Sequence, residues 1–76
     1  MPEYTISLCL FDNKTNSKTA KVSEFITYEE LLKIATNKFR IKILTLLNED
    51  DYLFNSVMLK NELKIYCSPK KLDGKV

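Results

Sequence analysis

The sequence predicts a small α+β domain in which one helix packs across one face of a mixed β-sheet. Three observations lead to this prediction: two runs of alternating apolar and polar residues near the start, a helix-capping motif after them, and strand-like apolar segments in the second half. With 76 residues, 45% of them hydrophobic, the chain can build one core, whereas two domains would each be too small to sustain one. We therefore expect one domain over residues 1–72 and a flexible C-terminal tail over residues 73–76.

The two alternating runs predict a hairpin of two strands. In the first run every second residue lies on one apolar face, and these residues are Tyr4, Ile6, Leu8 and Leu10. Residues 12–18 are polar and rich in Asn, Lys, Ser and Thr, which is typical of a hairpin loop. The alternation resumes with Ala20, Val22 and Glu24 on one face, so a second strand is expected over residues 20–25.

The clearest local signal is the start of a helix. Thr27 and Glu30 form the Ser/Thr-x-x-Glu capping box, in which the side chain of each residue accepts a hydrogen bond from the backbone N–H of the other. Ile26 and Leu31 are spaced to pack together as a hydrophobic staple. Apolar residues then recur every three or four positions, and this stripe consists of Tyr28, Leu31, Leu32, Ala35 and Phe39. The sequence therefore predicts a helix that begins at Tyr28 and covers a sheet.

The second half of the chain contains further strand-like segments. Residues 40–47 first alternate and then become almost continuously apolar, which predicts a third strand with increasing burial. A short strand is expected over residues 52–54, and residues 57–59 supply apolar anchors in the connection that follows. Residues 63–67 alternate again and predict the last strand.

The order of these elements is that of the β-grasp, or ubiquitin-like, roll. This ββαββ(β) arrangement is a mixed sheet with one helix packed across it. A right-handed crossover through the helix would place the third strand away from the second. We then expect the first and last strands to pair in the centre of the sheet. The alternative arrangement is a split β-α-β sandwich.

The composition argues against catalysis. Histidine is absent, no nucleophile and base can be paired, and the lone glycine, Gly74, excludes a glycine-rich phosphate loop. Cys9 and Cys67 stand inside apolar runs and not in a Cys-x-x-Cys or Cys/His spacing, so neither is a predicted metal ligand. We therefore predict no enzyme activity, no catalytic residue, no metal site and no cofactor.

The same cysteines and the start of the chain bear on the compartment. Buried free cysteines behave as small hydrophobic residues, and the chain does not open with the cationic and apolar regions of a secretory signal. The longest apolar stretches are a few residues long, too short to cross a membrane. We therefore expect two buried thiols in a reducing, intracellular compartment, the cytoplasm.

Several segments of the chain resemble known ubiquitin-like domains. The stretch Phe25–Leu32 resembles the strand-to-helix entry of doublecortin domains and of the KHA domain of plant potassium channels. The stretch Lys60–Tyr66 is similar to the final turn and strand of both, and Ser68–Leu72 falls where doublecortin domains carry a glycine-proline-glutamate-lysine segment. The doublecortin-like part of the resemblance implies binding to microtubules. The absence of histidine, of a metal-ligand set and of a phosphate loop predicts a non-catalytic protein–protein interaction module.

Lysines near the first hairpin and near the C-terminal end are the candidate partner-binding residues: Lys14, Lys18, Lys21, Lys64, Lys70 and Lys71. Gathered in one patch, they would attract acidic tubulin tails, phospholipid head groups or RNA, whereas scattered surface lysines are the simpler interpretation. The net charge of +2 does not indicate a nucleic-acid partner. Tyr52, Phe54 and Tyr66 could form an exposed aromatic platform that stacks on bases, but packing in the core explains them equally well. We expect another protein as the partner, with tubulin as the alternative.

Further interpretations stay open. The sequence Asn-Glu-Asp-Asp at residues 48–51 resembles the first part of the acidic cluster of a PB1-type oligomerisation surface, without the further acidic residues of that motif, or it forms a solvated turn. A ubiquitin-like modifier would need a terminal Gly-Gly, whereas this chain ends with Leu-Asp-Gly-Lys-Val. Its initiator Met1 and its polar end are also compatible with the N-terminal domain of a larger protein.

Overall fold

The computed structural model, which describes residues 3–13 and 15–74, consists over these residues of a four-stranded mixed β-sheet and one α-helix. The elements in chain order are β1 (Glu3–Leu10), β2 (Ser17–Ser23), α1 (Tyr28–Phe39), β3 (Thr45–Leu47), a short 3-10 helix (Ser56–Met58) and β4 (Lys64–Ser68). The predicted α+β class is therefore confirmed. The candidate Lys14 and the tail residues Lys75 and Val76 lie outside the described residues.

The four strands lie in the order β2-β1-β4-β3. In the centre, β1 is parallel to β4, with Leu8 opposite Ile65, while the edge strands β2 and β3 are antiparallel to their neighbours. The predicted central pairing of the first and last strands is confirmed. Because parallel neighbours cannot be joined by a tight turn, the chain between them, including α1, forms a long crossover.

The hydrophobic core lies between the sheet and α1. The alternation of β1 and β2 puts Ile6, Leu8, Ala20 and Val22 on the helix side of the sheet, where all four are buried. Ile65 of β4 joins them there with no exposed surface. The residues between them on β1 and β2 are mostly polar, as expected for a sheet of which the helix covers one face.

The predicted capping box is present at the start of α1. The Thr27 hydroxyl oxygen accepts a hydrogen bond from the Glu30 N–H (3.2 Å), and the Glu30 carboxylate accepts one from the Thr27 N–H (3.4 Å). These bonds occupy backbone donors that have no partner within the helix. Leu31 and Ala35 of the predicted apolar stripe are fully buried, so both the helix and its covering face are confirmed.

The predicted third strand is wrong in its first half. The sequence predicts it over residues 40–47, but β3 spans Thr45–Leu47. Arg40 ends α1 in a left-handed conformation (φ 57°), and its N–H bonds the Thr36 carbonyl oxygen (2.8 Å). The Ile43 N–H bonds the Thr36 hydroxyl oxygen (3.0 Å), which ties this part of the chain to the helix end instead of to the sheet. Residues 40–44 therefore form a loop. The alternation of apolar and polar residues in it does not indicate a strand.

Val57, predicted as an apolar anchor, is instead 92% exposed. The Asn55 side chain caps the 3-10 helix by accepting a hydrogen bond from the Val57 N–H (2.9 Å). This turn leaves Val57 outside, while the neighbouring Met58 and Leu59 pack against the core as predicted. The prediction therefore holds for two of the three anchors.

The short strand predicted over residues 52–54 is reduced to a single bridge between Leu47 and Leu53. The Phe54 N–H bonds the Leu46 carbonyl oxygen (2.9 Å), and the Phe54 ring is buried in the core. Core packing therefore accounts for this aromatic residue. The segment covers the outer edge of β3 without extending the sheet.

The second strand also ends earlier than predicted. It stops at Ser23, because the chain turns there and the Ile26 N–H bonds the Ser23 carbonyl oxygen (3.1 Å). The Ser23 hydroxyl oxygen also accepts a hydrogen bond from the Phe25 N–H (3.1 Å). Glu24 and Phe25 therefore belong to the turn before α1, and the Phe25 ring is 72% exposed.

The segment after β4 returns over β3 on the face away from α1. The Thr45 hydroxyl donates a hydrogen bond to the Lys70 carbonyl oxygen (2.8 Å) and accepts one from the Leu72 N–H (2.9 Å). Gly74 then lies against Leu53, and a Cβ atom at this position would be 2.7 Å from the Leu53 backbone nitrogen. Through these contacts the segment covers Thr45, which is 2% exposed although it faces away from α1.

A tyrosine hydroxyl completes the hydrogen bonding of β3 and gives a first testable prediction. The Tyr28 hydroxyl oxygen accepts a hydrogen bond from the N–H of Leu46 (3.0 Å), a fully buried residue. The substitution Tyr28→Phe keeps the ring but leaves this N–H without an acceptor, so we expect a loss of about 1–3 kcal/mol in the free energy of unfolding. Urea denaturation measures it, with Tyr52→Phe at an exposed ring as the control. Equal stability of both variants would contradict the prediction.

Candidate binding groove

An open groove runs between α1 and the chain that leads into β3. Its volume is about 720 Å³, and most of its wall is apolar. The lining residues are Glu29, Leu32, Lys33, Thr36, Asn37, Lys42, Ile43 and Leu44. A volume of this size lies within the range of roughly 300–1,000 Å³ that is usual for ligand pockets.

Hydrogen bonds fix the two walls of the groove relative to each other. On the helix wall, Leu32 and Thr36 stand one turn apart and so lie on the same side of α1. On the opposite wall, the Ile43 N–H bonds the Thr36 hydroxyl oxygen (3.0 Å), and the Leu44 N–H bonds the Ser68 carbonyl oxygen (2.8 Å). The second wall is therefore held by α1 at one residue and by β4 at the next.

The wall formed by residues 42–44 combines a buried floor with an exposed rim. Ile43 is buried at the floor, whereas Leu44 is 42% exposed and the adjacent Ile41 is 44% exposed. Lys33 on α1 and Lys42 on the opposite wall are both exposed, and Glu29 lies one helical turn before Lys33. The groove thus presents apolar surface between two ammonium groups.

The lysines predicted from the sequence lie elsewhere. Lys18 and Lys21 are exposed on β2, and their odd separation puts them on opposite faces of that edge strand. Lys21 lies opposite Thr5 and Lys64 opposite Ser7, so these two lysines share the face away from α1, on either side of β1. Lys70 and Lys71 are exposed in the segment after β4. Of the described candidates, Lys18 alone is on the helix side of the sheet, whereas Lys21 and Lys64 are on the other face, over which the segment with Lys70 and Lys71 returns.

Lysines on an edge strand also have a simple structural explanation. An exposed strand edge can pair with another chain, and charged residues on it, Lys above all, suppress such pairing. Lys18 and Lys21 fit this role because β2 is an edge strand of the sheet. Their position therefore does not require a binding partner.

Sequence reasoning missed Lys33 and Lys42 as site residues. Lys33 lies on the polar side of the helical stripe, and Lys42 sits in a segment that alternates like a strand. The useful signal was the pair of apolar residues Ile41 and Leu44, which stay exposed once residues 41–44 are recognised as a loop. Recognising this loop requires knowing that α1 ends at Arg40 in a left-handed conformation, and no residue pattern predicts that end.

The two cysteines are buried free thiols, as predicted. Cys9 of β1 lies opposite Tyr66, and Cys67 of β4 lies opposite Leu10. The two thiols are therefore on neighbouring strands but project from opposite faces of the sheet. Burial, and secondarily the neighbouring Cys9, raises the pKa of Cys67 from 9.0 to about 12. The Cys67 thiol therefore stays protonated near neutral pH, and the thiol is a much weaker nucleophile than the thiolate.

Residues 48–51 form a turn that the side chain of Asn48 stabilises. The Asn48 side-chain oxygen accepts hydrogen bonds from the Asp50 N–H (2.9 Å) and the Tyr52 N–H (3.0 Å). Asp51 has a positive φ of 69°, and the Glu49, Asp50 and Asp51 side chains are exposed. Across residues 3–13 and 15–74, no group of three or more Cys, Asp or Glu side chains is placed to hold a metal ion.

Comparison of the chain with family models, with curated proteins and with solved structures finds no significant match. Within the part of the chain that the structure describes, no helix has the length and apolar character needed to cross a membrane.

Proposed function

We propose that this chain is a ubiquitin-like domain of the β-grasp fold that binds another protein and carries out no catalysis of its own. The strand order β2-β1-β4-β3, with parallel strands at the centre and α1 across one face, supports the fold assignment. An NMR structure tests it. Contacts between Leu8 of β1 and Ile65 of β4 are expected, and placement of these strands at opposite sheet edges would exclude the fold.

The groove between α1 and residues 42–44 is the observation on which the binding function rests. Single exposed apolar residues are common on protein surfaces, whereas apolar side chains that gather around one groove supply surface that a partner can cover. Here Leu32 lies on the helix wall and Leu44 on the opposite wall, with Ile43 buried at the floor between them. Covering such surface with a partner gains roughly 25 cal/mol per Å² of apolar area removed from water.

The chemistry of the groove favours binding over catalysis. The Thr36 hydroxyl oxygen is occupied by the Ile43 N–H, and the charged groups at the rim, Glu29, Lys33 and Lys42, are exposed to water. A catalytic group usually needs burial or a close charged neighbour that shifts its pKa. The Cys67 thiol, the group whose pKa is raised, lies in the core and stays protonated.

A capture experiment with matched variants tests the binding function. Immobilised wild-type chain, Leu44→Asp and Val57→Asp are incubated with a lysate of the source cell, and the retained proteins are identified and quantified. Both substitutions put a carboxylate in place of an exposed apolar side chain, but only Leu44 lies in the groove. We expect Val57→Asp to retain the wild-type partner and Leu44→Asp to retain less than about a tenth of it, a change of about 1.4 kcal/mol.

Thermal unfolding of each variant shows that it is folded before capture is compared. Equal capture by wild type and Leu44→Asp would contradict a binding function at the groove. Turnover of a substrate by the pure chain would contradict the non-catalytic part of the proposal. Salt-sensitive sedimentation with polymerised tubulin, lost when Lys70 and Lys71 are replaced by Glu, would support the doublecortin-like alternative instead.

A further inference from the structure

The groove also points to the chemistry of its partner. Resting on the proposed protein-binding function, we propose that the groove receives an acidic amphipathic helix. Apolar side chains of this helix contact Leu32, Ile43 and Leu44, and its carboxylates lie against Lys33 and Lys42.

The charge of the groove favours an acidic partner. Lys33 and Lys42 stand on opposite walls, so a segment lying between them meets a positive charge on each side. Glu29 is the one acidic residue of the lining, and its position one turn before Lys33 lets it offset part of that charge at one end. Exposed charges of this kind contribute modestly to affinity, but they select partners, since like charges placed together cost several kcal/mol.

The backbone around the groove favours a helix over an extended strand. A strand that added to this side of the domain would need free backbone N–H and C=O groups to pair with. Here the N–H groups of Ile43 and Leu44 are bonded to Thr36 and Ser68. Along β3, the Leu46 N–H is bonded to Tyr28 and the Leu46 carbonyl oxygen to Phe54. A partner segment gains little from strand pairing at these residues, whereas a helix satisfies its own backbone groups internally.

The apolar residues of the groove lining suit the side-chain pattern of an amphipathic helix. Apolar side chains at positions i, i+3 or i+4, and i+7 of a helix form one stripe, which is the usual way in which an amphipathic helix enters a groove. Leu32 on one wall and Leu44 on the other offer apolar surface above the buried floor at Ile43. Acidic residues that flank the apolar stripe would then face the rim lysines on both sides.

A peptide-display library of random 16-residue sequences, selected against the wild-type chain, tests the inference. We expect the selected peptides to be rich in Asp and Glu and to carry Leu, Ile, Phe or Met at helical spacing. Binding of one such synthetic peptide is then measured by fluorescence polarisation. The double variant Lys33→Glu/Lys42→Glu is expected to bind it at least about tenfold more weakly, or about 1.4 kcal/mol.

The control is the double variant Lys38→Glu/Lys60→Glu, which makes the same change in net charge at exposed lysines outside the groove. We expect its affinity to stay within about threefold of the wild type, since remote exposed charges are screened by salt. Amide chemical shifts of the labelled chain should change on peptide binding at the groove residues. Circular dichroism should show the peptide gaining helix content in the complex.

The outcomes separate this inference from the proposed function. Selected peptides without acidic bias, equal loss of affinity in both double variants, or a complex without helix would overturn the inference. A library that yields no binder, while Leu44→Asp still abolishes capture of the cellular partner, would also overturn it and leave the protein-binding function standing. A failure of Leu44→Asp to affect capture would remove the proposed function and this inference together.

Discussion

Replacement of Leu31 by Ala is expected to lower the free energy of unfolding by about 2–5 kcal/mol. Leu31 stands on the buried side of α1, has no exposed surface and belongs to the core between helix and sheet. The substitution removes apolar burial and leaves a cavity that the surrounding side chains fill only in part. A domain of this length has a net stability of about 4–11 kcal/mol, so the loss is a large part of the total.

Urea denaturation followed by circular dichroism measures this effect. The control is Val57→Ala, which also shortens an aliphatic side chain but at a position that is 92% exposed. Its stability is expected to stay within about 0.5 kcal/mol of the wild type, as for most surface substitutions. If the two variants lost the same stability, Leu31 would not lie in the core as described.

A second large effect is expected at alkaline pH and comes from the buried Cys67 thiol. In the folded chain, burial and the neighbouring Cys9 raise the pKa of Cys67 from 9.0 to about 12. Between these two values the unfolded chain has lost the thiol proton while the folded chain still holds it. The folded state then binds more protons, so its stability falls as the pH rises, by about 1.4 kcal/mol for each pH unit.

The part of the free energy of unfolding that is linked to the Cys67 proton is fully present below about pH 9. It is lost as the pH rises through 12, and the total loss is about 4 kcal/mol. Denaturation curves of wild type and Cys67→Ala at pH 8, 9, 10 and 11 measure it. The two proteins share every other ionisable side chain, so the difference between the two pH profiles belongs to Cys67. We expect the variant to start less stable, because it loses buried atoms, and to fall less steeply. Parallel profiles would show that the thiol ionises equally easily in both states.

The parts of the fold that were predictable depend on local chemistry. The capping box needs only Thr27 and Glu30, which lie within one helical turn, and its hydrogen bonds form as soon as the helix does. The alternation of apolar and polar residues in β1 likewise predicts which of its side chains are buried, because every second residue faces the helix. Such signals are complete within a few residues, so the sequence alone was sufficient to read them.

The errors arose where contacts with distant residues decide the conformation. The alternating residues 40–43 indicate a strand, yet Thr36 accepts hydrogen bonds from the N–H groups of Arg40 and Ile43, both beyond the end of α1, and so keeps this segment out of the sheet. The groove depends on the same contacts, because α1 supplies Lys33 and the following loop supplies Lys42. No motif links these two residues, and their proximity follows from how the helix ends.

The parallel pair at the centre of the sheet also determines when the domain can form during its synthesis. β1 is made first, yet β4, its neighbour in the centre of the sheet, is made last. Until β4 is complete, apolar side chains such as Leu8 and Leu31 lack the strand that closes their core, and a growing chain in this state is prone to aggregate. Pairing of β1 with β4, which are far apart in the sequence, also makes folding slow compared with a helical bundle of the same length. We therefore expect the nascent chain to depend on chaperones until its last strand has emerged from the ribosome.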